Sequence, residues 1–154
     1  MVKIEKIEGV FRNLDRYVGI LRELAQLPPA VLLADPVRLG GAKYYLQVAI
    51  ECCIDVANHL IAQSGWRAPR NYADSFVVLV ENQVLPEEFL PTFRRMVGMR
   101  NRLVHLYWEV DDATVCQVLS DHLGDFVRFQ AMILDYLRAT KAWPATDEEG
   151  YTSE

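Results

Sequence analysis

The chain has 154 residues, 51% of them hydrophobic and 24% charged, with a net charge of −5 at neutral pH. That length supports one domain whose core stands without disulfides or metal, and the acidic balance argues against general coating of nucleic acid while leaving room for a local basic patch. No stretch approaches the roughly 20 apolar residues of a membrane span, and MVKIEKIEGVF lacks the apolar core of a secretory signal, so a cytoplasmic location is expected.

Apolar residues recur at every third or fourth position and the alternation of strands is almost absent, so the elements are expected to be helices. The first runs from Lys3 to Gln26, with Ile4, Ile7, Val10, Phe11, Leu14, Tyr17, Val18, Leu21 and Leu24 facing inward. Pro28-Pro29 stop it. Asp35-Pro36 read as the cap and first turn of a second helix, which carries KYYLQVAIECCIDVANHLIAQSG and stops at Gly65. WRAPRNYAD is a loop, and a shorter helix covers Asp74 to Gln83. Pro86 opens EEFLPTFRRMVGMRNRLVH, with Glu87 and Glu88 at its positive end and Pro91 within its first turn. Asp111 or Asp112 then caps one final long helix, TVCQVLSDHLGDFVRFQAMILDYLRATK. The expected architecture is all-α, an antiparallel bundle of about five helices. It occupies 1–140 as a single domain, followed by a loose acidic tail at 141–154.

The chemistry gathers near the end of the fourth helix. Arg94, Arg95, Arg100 and Arg102 fall within nine residues, and no acid occurs between Glu88 and Glu109. Guanidinium forks match phosphate oxygens, so a phosphate-bearing ligand is a natural partner for Arg94, Arg95 and Arg102; the alternative is a solvated face paired with acids of other helices. Asn101 and His105, four apart, share a helix face. Arg100 and His105, five apart, lie about 140° away from each other around a helix. One straight helix cannot aim Arg100, Asn101 and His105 at a single atom. Either the helix breaks near His105 or a second copy supplies the missing partner across a two-fold interface.

The run MVGMRNRLVHLYWEVD resembles the signature of the HEPN superfamily, most specifically its HepT branch. The matching residues are Arg100, Asn101, His105 and Tyr107, with four residues between the arginine and the histidine. LQVAIECCIDVANHLI is similar to the family's corresponding helix, and the resemblance covers the chain to about residue 140. It implies a helical homodimer acting as a metal-independent endoribonuclease without a cofactor, a toxin paired with an MNT-type nucleotidyltransferase antitoxin. By that resemblance His105 is the acid–base group, Arg100 stabilises charge at the reacting phosphorus, Asn101 orients, and Tyr107 is where the antitoxin attaches AMP. A family member can also keep these residues as a non-catalytic dimer that binds RNA or nucleotide, and a plain dimerisation domain would need none of the arginines.

Glu51, Asp55 and His59 form a polar stripe on the second long helix, either a structural network or a support that orients Arg100 or His105. With three histidines in all and no C-x-x-C pair, no metal site is expected. Cys52, Cys53 and Cys116 read as packing residues, and His122 as a solvated or core-edge histidine.

Overall fold

The computed structural model describes residues 2–140 and Ala142; apart from Ala142, the expected acidic tail lies outside them. Helix α1 (Ile4–Ala25) buries Ile7, Phe11, Leu14, Val18 and Leu21, one residue per turn along a single stripe. Pro29 opens a short α2 (Pro29–Leu33) where only a linker is expected, because a proline at the first helical position loses nothing by lacking its N–H.

Helix α3 (Pro36–Ser64) is the axis of the molecule. The Asp35 carboxylate accepts from the N–H groups of Val37 and Arg38, both at 3.1 Å, and Gly65 at φ 68° closes the other end. Its buried residues run all the way round, from Leu39 to Ile61, because α1, α2 and α4 to α7 all pack on it. Helix α4 (Tyr72–Glu81) begins two residues earlier than the sequence suggests. Its cap is Asn71, whose Oδ1 accepts from Asp74 N–H at 2.8 Å, and it stops short of Gln83, whose φ of 62° no helix tolerates.

Helix α5 (Leu90–His105) follows a 3-10 turn at Glu87–Phe89 and is anchored by aromatic stacking. The Phe93 ring stacks on Phe76 of α4 at 4.7 Å, and Phe129 meets both edge-on at 6.1 and 5.6 Å. This arrangement suits the ring quadrupoles and fills the core with large apolar surface. The expected single final helix is two: α6 (Asp112–Asp121), capped by Asp111, and α7 (Gly124–Ala139). His122 leaves the helical region at φ −121°, ψ 0°. Gly124 weakens any continuation, and Asp125 suits the positive end of a new helix. Among the described residues there is no strand and no helix long and apolar enough to cross a membrane.

Candidate functional site

The site grows from the way α5 ends. Leu106 at φ −135°, ψ 45° breaks the helix directly after His105, while its N–H still bonds to the Arg102 carbonyl at 2.8 Å. Tyr107–Glu109 form one 3-10 turn, and Asp111 starts α6. Lys43 pins this corner from α3. Its Nζ lies 2.7 Å from Asp112 Oδ1 and 4.8 Å from the centre of the Tyr107 ring, with the side chain 10% exposed. An ammonium that buried needs both an acid and a π face to offset its lost hydration. Its one sequence signal is a lone lysine among the apolar residues of KYYLQVAI.

Arg100 is held on the inner flank of α5. Its Nε donates to Glu51 Oε1 at 3.1 Å, one Nη donates to Asn101 Oδ1 at 3.2 Å, and its guanidinium carbon lies 5.0 Å from the centre of the Tyr72 ring. Gln47 Nε2 also donates to Glu51 Oε1, at 3.2 Å. Tyr72 is the first residue of α4, and Arg67 bridges Asp74 and Glu81 of that helix with four hydrogen bonds of 2.8 to 3.0 Å. Those bonds hold the Asp74 carboxyl well below the ordinary carboxylate range. The Arg100 side chain is 16% exposed.

His105, Asn101, Arg94, Arg95 and Arg102 face outward and are exposed. On a helix Arg94, Gly98, Asn101 and His105 fall within an arc of about 60°, with Arg95 and Arg102 beside it. Among the described residues none of Arg94, Arg95 and Arg102 is ion-paired; Arg95 has only a 3.3 Å hydrogen bond to Thr92 Oγ1. All three line a groove of 520 Å³ between α5 and the α6–α7 junction. Within one chain, then, Arg100 and His105 point to different sides, with Asn101 between them.

Glu51 touches Arg100, but Asp55 and His59 do not join it. Asp55 is exposed, its carboxyl pushed up by partial burial and the charge of Glu51. His59 is buried, and its Nε2 accepts the Lys3 backbone N–H at 3.1 Å, an anchor for the start of α1. Burial, then Lys6 and Lys3, push its imidazole below the ordinary value. Cys52 is buried and its thiol is pushed up to about 12, mainly by burial. Among the described residues no three His, Cys, Asp or Glu side chains gather as metal ligands would.

The helical bundle is that of a HEPN toxin whose structure is solved. The sequence profile of the family described as ribonuclease HepT-like matches residues 14–133, and the chain belongs to that family. It is 33% identical over 126 residues to an mRNA nuclease HepT of Shewanella oneidensis, covering 82% of this chain and 91% of that one. It is 29% identical over 94 residues to a tRNA nuclease HepT of Aphanizomenon flos-aquae, covering 60% and 63%. A solved structure of a tri-AMPylated Shewanella oneidensis HEPN toxin in complex with an MNT antitoxin superposes with a TM-score of 0.78 at 28% identity, covering 84% of this chain and 96% of that one. A cytosolic Bacillus subtilis protein superposes with a TM-score of 0.81 at 21% identity, a likeness of fold alone.

Proposed function

We propose that this protein is a metal-independent endoribonuclease, the toxin of a toxin–antitoxin pair, acting as a homodimer. The observation that carries the reading is the outer stripe of α5, where an exposed His105 shares a face with guanidinium groups that have no acid to neutralise them. Guanidinium groups not taken up by carboxylates can meet phosphate oxygens in a bidentate way. The names of the relatives point the same way, one an mRNA nuclease and another a tRNA nuclease.

In the mechanism, His105 accepts the proton of a ribose 2′-hydroxyl, and the 2′-oxygen forms a bond to the adjacent phosphorus. The bond from phosphorus to the 5′-oxygen breaks, and that oxygen takes a proton from solvent. The products are a 2′,3′-cyclic phosphate and a 5′-hydroxyl. Asn101 orients the phosphate or the imidazole, and a guanidinium stabilises the charge on the five-coordinate phosphorus. That guanidinium is the partner subunit's Arg100, since the chain's own points away from its own His105. The surface for a second copy is the apolar one beside Arg100. Trp108 is 77% exposed, Tyr44 is half exposed, and Val37 and Val104 are exposed as well. A dimer would cover these residues and bring two α5 ends together.

Tyr107, half exposed on its 3-10 turn, is the acceptor for AMP. Its hydroxyl oxygen takes the α-phosphorus of ATP, pyrophosphate leaves, and the hydroxyl proton goes to solvent. The reading draws on the tri-AMPylated toxin bound to its MNT antitoxin, and a phosphate beside His105 would repel RNA. The test is cleavage of a mixed tRNA and total-RNA pool in EDTA by wild type and by H105A, both folded and dimeric. Wild-type cleavage with cyclic-phosphate ends, absent in H105A, is expected. Equal cleavage by both proteins would contradict it, and cleavage by neither, with Tyr107 unmodified, would favour a dimer that binds RNA without cutting it.

A further inference from the structure

The groove behind His105 has the dimensions and chemistry of a ligand site in its own right. Its volume of 520 Å³ lies in the range of small-molecule pockets. One wall carries Arg94, Arg95 and Arg102. Among them stands Gly98, one turn from Arg94 and one from Arg102, and a Cβ built there would meet nothing within 4 Å. Glycine inside a helix is destabilising by roughly 0.5–1 kcal/mol relative to alanine. The backbone of α5 is therefore open at Gly98 to a ligand lying in the groove.

The remaining walls favour a base. Met99 and Val118, over the buried Phe126, supply an apolar surface with an adaptable thioether. On the far wall His122 Nδ1 lies 3.4 Å from Asp125 Oδ2, which orients the imidazole. Arg128 also pairs with Asp125 and neutralises its charge, so the acid does not repel an anion. Gln117 adds an amide on the same side. Guanidinium groups on one wall, an apolar surface between and directional hydrogen-bonding groups opposite match a phosphate, a base face and a base edge. Gly98 and His105 are seven residues apart on one stripe, about 10 Å along the helix, within reach of adjoining nucleotides.

We propose that this groove is a subsite for one unpaired nucleotide of the RNA, flanking the phosphodiester that His105 attacks. The proposal rests on the RNA-cleaving reading and adds to it where the neighbouring base goes. The experiment measures the affinity of the intact dimer for a 2′-O-methyl RNA decamer, which cannot be cleaved, by fluorescence anisotropy. Wild type is compared with Gly98→Leu, which fills the groove without removing a side chain and raises helix propensity, and with His122→Ala. Gly98→Leu is expected to weaken binding by about tenfold, the size of one lost base-stacking contact, with its unfolding midpoint unchanged or raised. His122→Ala is expected to weaken it severalfold.

An unchanged affinity in Gly98→Leu would overturn the subsite while leaving the nuclease reading intact. A wild type that ignores the decamer would sink the nuclease reading itself. Competition arms use uridine and adenosine monophosphates and inorganic phosphate. A monophosphate that competes as well as the decamer would make this a free-nucleotide site, and inorganic phosphate competing equally would leave no role for the base. Dissociation of the Gly98→Leu dimer would mark the groove as a protein interface; each of these outcomes overturns the proposal.

Discussion

The two flanks of α5 carry the same residue type to opposite ends. On the inner flank Arg100 is 16% exposed and bound to Glu51, Asn101 and the Tyr72 ring. On the outer flank Arg94, Arg95 and Arg102 stand exposed without an acid. The inner arrangement fixes one guanidinium at one place. The outer one keeps positive potential available for a polyanion. An overall charge of −5 hides this, because charge matters to a partner only where it is concentrated.

The largest effect expected from disturbing this contrast comes from the foundation of the inner flank. Phe93→Ala removes the ring that stacks on Phe76 and meets Phe129 edge-on and should lower stability by about 3–5 kcal/mol, read as a fall in the urea midpoint at constant slope. Next, Glu51→Gln leaves Arg100 without its carboxylate and should lower stability by about 1 kcal/mol, since the pair is partly solvated. Ribonuclease activity should fall with it, because the guanidinium is no longer held. On the outer flank, Arg94→Ala, Arg95→Ala and Arg102→Ala should each change stability by less than about 0.5 kcal/mol. Each should weaken RNA binding and lower its dependence on salt, seen in titrations at several ionic strengths. Equal stability losses on the two flanks would erase the distinction.

The smallest effect is one of pH. His59 is held neutral, with its folded value below the ordinary 6.5. Its contribution to stability is complete above that unfolded value and is lost as pH falls from there toward the lowered folded one. The thermal midpoint should therefore decline as the solution is acidified below about pH 6.5, and His59→Gln should decline less. The effect belongs to the anchor at Lys3, so RNA affinity should not follow it.

The helices themselves were legible because their signals are local. Amphipathic spacing, Asp35, Gly65 and Asp111 set most boundaries within a residue or two. The break at His122 was not, because the apolar spacing of Val115, Leu119, Leu123 and Phe126 runs through it without interruption. The helical angle between Arg100 and His105 could be worked out from spacing alone, but the partners of Arg100 could not. Glu51 is 49 residues away, and Gln47 and Tyr72 carry no signature of their own. His122, read as a solvated or core-edge histidine, lines the groove that α6 and α7 complete against α5. No local pattern announces a wall built from three helices.

The most direct test of the central claim, that the two flanks meet across two chains on one phosphodiester, is complementation. R100A and H105A chains, each inactive alone, are denatured, mixed in equal amounts and refolded, and RNA cleavage is measured in EDTA. Half of randomly formed dimers are mixed, and each of these has one intact site of two, so about one quarter of the wild-type rate should return. A mixture as inactive as its parents, with mixed dimers confirmed by native mass spectrometry, would contradict the composite site and place both groups in one chain.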